Sequence, residues 1–156
     1  MSGLPDAARQ FSLLVLEPDA ALQEAISDAL GPALPLVRAS SGREALRLMD
    51  EMEPAMALVN LQLPDLGGTV VLKAIRERME GYKVIVTSDS GDYDLVRQVG
   101  TLGVGDFLEK PYSIRDLFHS IDNSVRGVTA QVDFRTLTAR YHERSRNRRQ
   151  ALLAVV

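Results

Sequence analysis

One segment near the middle of the chain, residues 55–68 with the sequence AMALVNLQLPDLGG, constrains the fold most strongly. It begins with five consecutive apolar residues, Ala55 to Val59, and then reaches a polar side chain, Asn60. Turn-forming residues follow at once, including Pro64 and the pair Gly67-Gly68. A short apolar run bounded by turn signals is typical of a strand buried on both faces of a parallel sheet. The segment therefore predicts a central parallel strand that ends at Asn60.

Strand-like and helix-like segments alternate along the first 126 residues. Strands are predicted at Leu13 to Leu16, Leu34 to Ala39, the central run, Lys83 to Thr87 and Asp106 to Glu109. A helical pattern follows each strand, at residues 20–30, 41–52, 69–79, 92–102 and 113–125. Asp19, Ser41 and Ser113 stand where helix N-caps are expected. Five strands that alternate with five helices across short connections predict an α/β fold with a doubly wound, five-stranded parallel sheet.

Polar or conformationally special residues stand at the ends of the predicted strands. Glu17 and Pro18 follow the first strand, Asn60 ends the third, Thr87 ends the fourth, and Lys110 follows the fifth. The carboxyl ends of parallel strands meet at one edge of the sheet, and open α/β sheets bind their ligands at that edge. We therefore expect the functional site there.

Composition excludes several classes of site. The chain has no cysteine, which rules out disulfides, thiolate nucleophiles and thiolate metal ligands. Its two histidines are far apart in the sequence and are too few for a histidine-based metal cluster. The first ten residues lack a basic region followed by an apolar core, and no apolar run approaches the ~18 residues of a membrane span. These features predict a cytoplasmic protein without a membrane contact.

Charge divides the chain into two parts. Residues 1–126 hold 12 Lys and Arg against 19 Asp and Glu, a balance of −7, whereas residues 127–156 hold six arginines against two acidic residues, a balance of +4. Gly127 interrupts the strand and helix pattern, and the segment beyond it is basic and helix-permissive. We predict an N-terminal arm at residues 1–10, one domain at 11–126 and a basic C-terminal helical extension at 127–156.

Residues 11–126 resemble the receiver domain of response regulators, the flavodoxin-like phosphoacceptor module of two-component signalling. The matching motifs are LLVLEPD on the first strand, LVNLQLPDLGG on the third, VIVTS on the fourth and GVGDFLEKP on the fifth. They occur in the order of the family and cover nearly the whole domain. The resemblance implies signal transduction by phosphorelay and no enzymatic turnover of a small-molecule substrate.

The resemblance assigns roles to individual positions. In receivers, an aspartate at the end of the third strand accepts a phosphoryl group, and an acidic pair after the first strand helps to hold Mg²⁺. A hydroxyl on the fourth strand and a lysine before a cis-proline bind the product, while an aromatic residue on the fifth strand reorients. The corresponding residues are Thr87 for the hydroxyl, Lys110 for the lysine, Pro111 for the cis-proline and Phe107 for the aromatic.

Two positions depart from the family pattern. The phosphoacceptor position is Asn60, and the acidic pair is Glu17 and Pro18. A neutral amide is a poor nucleophile and adds no charge to a metal site, and proline offers Mg²⁺ no side-chain oxygen. Only Glu17 remains of three expected carboxylates, so we expect the Mg²⁺ site to be degraded, no cofactor to be held, and phosphoryl transfer to fail. The sequence therefore predicts an atypical pseudo-receiver.

Other carboxylates could restore the chemistry, and the sequence leaves this alternative open. Asp19 is the best substitute ligand, although a helix cap is the better-supported role for it. Asp65 lies on the loop beyond Pro64, too far along the chain to replace a group at the strand end without rearrangement. Lys110 is expected to pair with Glu17 when no phosphoryl group is present. Asn60 is interpreted as natural, with an engineered substitution as the alternative, because engineering would not explain Pro18.

The function predicted first is regulation by contact with a protein partner, or by self-association, through the last two helices, the fifth strand or the C-terminal tail. The alternative is the N-terminal part of a DNA-binding transcription regulator. The segment RYHERSRNRRQALLAVV has a faint likeness to the start of a LuxR-type helix-turn-helix, so DNA contact is expected only if the rest of that domain follows. Other interpretations of the tail are a helix that docks on the domain or pairs with another chain, and a basic arm.

Overall fold

A computed structural model describes residues 12–89 and 93–125. Within these ranges five strands form one parallel sheet: β1 Leu13–Leu16, β2 Leu36–Ala39, β3 Met56–Asn60, β4 Val84–Ser88 and β5 Asp106–Glu109. The strand order is β2-β1-β3-β4-β5, which places β3 at the centre. From β1 the chain moves first to one edge of the sheet and then back across β3 to the other edge, so the predicted doubly wound fold is confirmed.

Five α-helices connect and follow the strands in the described part of the chain: α1 Ala20–Leu30, α2 Gly42–Met52, α3 Gly68–Arg76, α4 Tyr93–Leu102 and α5 Ile114–Val125. Three of them have the predicted N-caps. The Asp19 carboxylate accepts hydrogen bonds from two backbone N–H groups of the first turn of α1. The hydroxyls of Ser41 and Ser113 accept from the N–H groups three residues ahead, at 3.2 Å and 3.0 Å.

Helices cover both faces of the sheet. Successive residues of a strand point to opposite faces, so each strand contributes to two cores. On one face, Leu14, Val59 and Val86 belong to a core that includes residues of α2, α3 and α4. On the other face, Val15, Leu58 and Ile85 pack in a second core with residues of α1 and α5. Every residue of β1, β3, β4 and β5 is buried. This explains the apolar runs of β1, β3 and β4 in the sequence.

Several predicted boundaries were wrong by one to three residues. The second strand begins at Leu36 rather than Leu34, because the Leu34 N–H still bonds to the Leu30 carbonyl in the turn that ends α1. Helix α3 ends at Arg76 rather than Met79. The fourth strand lies one residue later than predicted, since residues Gly81–Lys83 form a 3-10 turn before it.

Gly68 joins the central strand closely to the helix that follows it. A Cβ atom built on Gly68 would lie 2.1 Å from the Leu61 carbonyl oxygen, so only glycine allows this approach of the two backbones. The contact places the start of α3 directly against the residue after Asn60. The loop that follows Asn60 is therefore short, and it is fixed by β3 at one end and by α3 at the other.

Two predicted segments lie outside the described residues, namely the N-terminal arm at 1–10 and the basic extension at 127–156, and they remain predictions. Among the described residues, no helix is both long enough and apolar enough to cross a membrane.

Candidate functional site

The Glu17 carboxylate lies at the centre of a buried polar cluster at the carboxyl edge of the sheet. The residue is only 2% exposed. One oxygen, Oε1, accepts a hydrogen bond from the Asn60 amide at 3.0 Å and lies 2.8 Å from the Lys110 ammonium. The other, Oε2, accepts from the same Asn60 amide at 3.0 Å and from the Asp19 backbone N–H at 2.9 Å. Both oxygens of this buried charge are thus fully engaged by the protein.

Asn60 is equally buried, and both ends of its amide are in use. Its Oδ1 accepts the backbone N–H of Gln62 at 2.8 Å, while its Nδ2 donates to both Glu17 oxygens. A backbone N–H can only donate and a carboxylate can only accept, so this orientation of the amide is the one that the chemistry requires. Asn60 therefore presents a donor, rather than an acceptor, to Glu17.

The remaining predicted positions converge on the same edge. Thr87 pairs with Asn60 in the register of β3 and β4 and is 1% exposed. Phe107 on β5 is also 1% exposed, and its ring packs into the core that contains α2, α3 and α4. The peptide bond between Lys110 and Pro111 is cis, as predicted. Lys110 forms the ion pair with Glu17 that was expected for a site without a phosphoryl group.

The two carboxylates considered as substitutes are engaged elsewhere. Asp19 Oδ1 accepts the N–H groups of Ala21 and Leu22 and so caps α1. Asp65 reaches the N-terminus of α2, where its two oxygens accept from Gly42 N–H and Arg43 N–H, each at 2.9 Å. The bond from Arg43 N–H is the largest of the effects that hold the pKa of Asp65 below its usual value.

Sequence reasoning missed the residues that link β3 to the end of β4. The Gln62 side chain bonds to Ser88 Oγ and to the Asp89 N–H, at 2.8 Å and 3.1 Å. Gln62 lies two residues beyond Asn60, but no sequence pattern gives a loop glutamine a partner 26 residues away. Only its position next to the strand end could have suggested a role.

A cleft of about 530 Å³ opens beside the cluster, lined by Asp19, Leu22, Asp89, Lys110, Pro111 and Tyr112. The Tyr112 hydroxyl is buried and has no hydrogen-bond partner among the described residues. Burial, followed by the negative charge of Glu17, raises the pKa of Tyr112 above its usual value. The phenol therefore stays neutral and faces the cluster as an uncharged group.

The comparison with known families agrees with this arrangement. Residues 13–122 match the family described as the response regulator receiver domain. The chain belongs to the response-regulator receiver family. As a receiver, it carries Asn60 at the end of the third strand, Glu17 after the first and Lys110 after the fifth, which are the three side chains that meet in the cluster.

Curated relatives of this receiver are regulatory proteins. It is 34% identical over 89 residues to "Transcriptional regulatory protein YdfI" of Bacillus subtilis, which covers 57% of this chain and 41% of that protein. It is 27% identical over 117 residues to "Uncharacterized transcriptional regulatory protein YcbL" of the same organism, covering 74% of this chain and 51% of that protein. The chain thus spans about half, or less, of the length of these relatives.

Solved receiver structures share the fold. The signal receiver domain of a putative LuxO repressor protein from Vibrio parahaemolyticus has a TM-score of 0.68 at 24% identity, covering 75% of this chain and 91% of that one. A CheY-like receiver domain protein from Methanospirillum hungatei has a TM-score of 0.69 at 21% identity, covering 75% and 94%. The five-stranded sheet and its helices therefore follow the flavodoxin-like receiver architecture.

The donor set around Glu17 does not fit the Mg²⁺ ion that receivers use. Magnesium favours a near-octahedral shell of oxygens, with one or two carboxylates among them. Here the neighbouring groups are an amide nitrogen, an ammonium and a backbone N–H, all of which donate hydrogen bonds. Pro18 has no side-chain oxygen, and the described residues contain no group of three or more acidic or histidine side chains that could hold a metal.

Proposed function

We propose that this receiver is a signalling module that does not accept a phosphoryl group and that regulates through noncovalent contact with a protein. The observation that carries the proposal is the contact between Asn60 and Glu17. The Asn60 Nδ2 donates to both Glu17 oxygens at 3.0 Å, so the residue at the acceptor position serves as a hydrogen-bond donor. This is the opposite of what an attacking carboxylate oxygen must do.

The amide of Asn60 also lacks the reactivity that phosphoryl transfer needs. Its nitrogen lone pair is delocalised into the carbonyl, and its oxygen already accepts the Gln62 N–H at 2.8 Å. Covalent catalysis by a side chain requires an activated nucleophile, and no base next to Asn60 could generate one, since Glu17 is held by Lys110. We therefore propose that no catalytic residue exists at this edge and that the chain is not an enzyme.

The proposal also gives no role to a metal ion. The single negative charge of Glu17 is balanced by the single positive charge of Lys110 at 2.8 Å, and Asn60 is neutral. A divalent cation would have to displace a lysine ammonium and find further oxygens that Pro18 does not supply. We propose that the module functions without Mg²⁺ or any other cofactor.

Other carboxylates give little support to an alternative phosphoacceptor. Asp19 and Asp65 each satisfy two backbone N–H groups at a helix N-terminus, so moving either one would leave those donors unpaired. Both carboxylates therefore have a structural function that competes with phosphoryl transfer.

The partner surface that we propose consists of α4, β5 and α5, together with the tail beyond residue 126, and it serves a protein partner or a second copy of the chain. The supporting observation within the described part is Ile114, a large apolar residue at the start of α5 that is 40% exposed. A solvent-exposed isoleucine on the helix next to β5 is available for such a contact. No membrane or small-molecule substrate enters this proposal.

Intact mass after incubation with a small acyl-phosphate donor and Mg²⁺ tests the proposal. Three proteins are compared: the parent, Asn60→Asp, and the Pro18→Asp/Asn60→Asp double variant. We expect only a variant with restored carboxylates to gain about 80 Da, the mass of one phosphoryl group. The double variant without Mg²⁺ is the control. A gain in the parent would overturn the proposal, and peptide mapping would then identify the acceptor.

The relatives of the chain support a second candidate function. Proteins named as transcriptional regulators match this chain over only 41% and 51% of their own length, so each contains a large part that this sequence does not cover. We propose as the alternative that the receiver is the N-terminal part of a DNA-binding regulator. Reading the coding sequence beyond position 156 tests this: an open frame that encodes a helix-turn-helix supports it, whereas an immediate stop codon contradicts it.

A further inference from the structure

The Gln62 side chain connects the end of the central strand to the end of its neighbour. Its Nε2 donates to the Ser88 hydroxyl at 2.8 Å, and its Oε1 accepts the backbone N–H of Asp89 at 3.1 Å. We call these three residues, Gln62, Ser88 and Asp89, the Gln62 bridge. The two hydrogen bonds span 26 and 27 positions of sequence, so they join two strand ends that are distant along the chain.

The chemistry of the partners determines the orientation of the bridging amide. The Asp89 N–H can only donate, so the oxygen of the Gln62 amide must face it. The nitrogen then faces Ser88 Oγ, which accepts. One planar amide thus satisfies a backbone donor and a hydroxyl at the same time, which neither a shorter nor an apolar side chain at this position would do.

The two groups that Gln62 contacts differ in their exposure. Ser88 is the last residue of β4 and is fully buried, so its hydroxyl is far from solvent. Asp89 follows the strand, and its N–H lies beyond the last β4 to β5 ladder pair, Ser88 with Glu109. A buried hydroxyl without a partner is unfavourable, which favours the bond from Gln62 to Ser88. Asp89 is exposed, so its N–H gains a fixed partner from the bridge without being shielded from water.

The bridge is continuous with the buried cluster. The Gln62 backbone N–H donates to Asn60 Oδ1 at 2.8 Å, and the Asn60 Nδ2 donates to Glu17. The backbone of the same loop is tied to β4 by the Leu61 N–H, which donates to the Thr87 carbonyl at 3.0 Å. A path of direct hydrogen bonds therefore runs from Glu17 through position 60 to Asp89, the residue from which the chain continues towards α4.

We propose that Gln62 is a positioning residue that holds Asp89, where the chain leaves β4, in one arrangement by protein hydrogen bonds alone. In receivers, the resemblance implies, the phosphoryl group at the end of the third strand attracts the hydroxyl of the fourth strand. In this chain a permanent amide makes the connection between the same two strand ends. The inference rests on the proposed function only in stating that no phosphoryl group is needed.

Hydrogen exchange of backbone amides, measured by NMR on the unmodified chain and on Gln62 variants, tests the proposal. Gln62→Ala removes both bonds, and Gln62→Asn is one methylene too short to make both. We expect the Asp89 amide to exchange about tenfold faster in each, which corresponds to the loss of one ordinary hydrogen bond. Gln62→Glu keeps an oxygen for Asp89 and accepts from the Ser88 hydroxyl, so it is expected to retain the protection.

Gln98→Ala, at an exposed glutamine of α4, is the matched control and is expected to leave the Asp89 amide unchanged. Two outcomes would overturn the proposal. One is an Asp89 amide that exchanges at the parental rate in Gln62→Ala. The other is an equal acceleration at Val86 in the middle of β4, because that would be a loss of global stability rather than release of the bridge.

The test separates this inference from the function on which it rests. It uses no phosphodonor and no change at position 60. If the parent protein gained a phosphoryl group in the mass experiment, the proposed function would fail, and the exchange rates would still show whether the bridge holds Asp89. If Gln62→Ala left the exchange rate of the Asp89 amide unchanged, the proposal about the bridge would be wrong. The proposed lack of a phosphoacceptor would not be affected.

Discussion

Replacing Asn60 by aspartate changes one NH₂ group into an oxygen, and the structure predicts a large effect from this near-isosteric substitution. The amide now donates to both Glu17 oxygens at 3.0 Å in a site where both residues are 2% exposed. An ionised carboxylate in its place would bring two negative charges together out of water. Among the described residues, the cation paired with Glu17 is Lys110, at 2.8 Å. The variant must therefore lose stability, take up a proton or recruit a cation.

The expected loss in the free energy of unfolding is set by the smaller of two electrostatic costs. Two ionised carboxylates about 3 Å apart repel each other by about 5.5 kcal/mol at an effective dielectric constant of ~20. A carboxyl of ordinary pKa ~3.9 can instead hold its proton at pH 7 at a cost of about 4 kcal/mol, from 1.36 kcal/mol per pH unit. Proton uptake is the less costly route, and Lys110 reduces the repulsion further. We expect Asn60→Asp to lower the free energy of unfolding by about 2–4 kcal/mol at pH 7.

The sign of the pH dependence follows from the same reasoning. The introduced carboxyl has a raised pKa in the folded state and an ordinary one in the unfolded state. As pH rises above ~4, the unfolded chain loses this proton while the folded chain keeps it, so the variant loses stability relative to the parent. At pH 5 the same cost is only about 1.5 kcal/mol. Urea unfolding followed by circular dichroism at pH 5, 6 and 7 measures the difference.

The control is Asn123→Asp, the same atomic change at a half-exposed position of α5 where the side-chain amide lies 3.3 Å from the His119 ring. We expect a change within about 0.5 kcal/mol at pH 7. Added Mg²⁺ is expected to raise the unfolding midpoint of Asn60→Asp, since the cation binds the pair of carboxylates in the folded state, and to leave the parent unchanged. A loss that is below 1 kcal/mol at pH 7, or that grows as pH falls, would refute the reasoning about the cluster.

Three further substitutions test other parts of the structure by urea unfolding. Lys110→Met leaves Glu17 buried without a cation and should cost about 3 kcal/mol, and adding Glu17→Gln should recover part of the loss; an equal loss in the double variant would contradict this. Gly68→Ala should cost at least about 2 kcal/mol because its Cβ would meet a carbonyl oxygen at 2.1 Å, whereas the control Gly67→Ala, with 3.6 Å to its nearest neighbour, should cost under about 1 kcal/mol. Tyr112→Phe removes a buried hydroxyl that has no partner among the described residues and should be neutral or stabilise by up to about 1 kcal/mol; a clear loss would reveal a missing partner.

The fold could be predicted almost completely because local and global signals agree. Strands β1 and β5 were predicted with the boundaries that the structure shows. For β1 the reason is a continuous apolar run flanked by polar residues, which leaves little choice. The wrong boundaries described above lie where a turn follows a helix. Leu34 is apolar and buried, and its assignment to a turn depends on a backbone bond to Leu30 that no pattern of side chains reveals.

The residues that meet at the candidate site could be predicted, but their hydrogen bonds could not. Topology brings together Glu17, Asn60 and Lys110, and the expected pairing of Lys110 with Glu17 is present. The double donation from Asn60 to Glu17 was not foreseen, because the substitution was considered only as the loss of a nucleophile. The Gln62 bridge was missed for a different reason: an exposed loop glutamine has many possible partners, and only three-dimensional proximity selects Ser88.

The charge of the buried cluster connects its chemistry to its stability. With Glu17 and Lys110 paired and Asn60 neutral, the net charge of these three side chains is zero, and each oxygen of Glu17 has donors within 3.0 Å. Carboxylates at positions 18 and 60 would change this net charge to −2, which a divalent cation would be required to offset. We propose that the two departures from the receiver pattern remove the metal requirement and the nucleophile together. We propose that the signal of such a domain depends on the protein that it contacts.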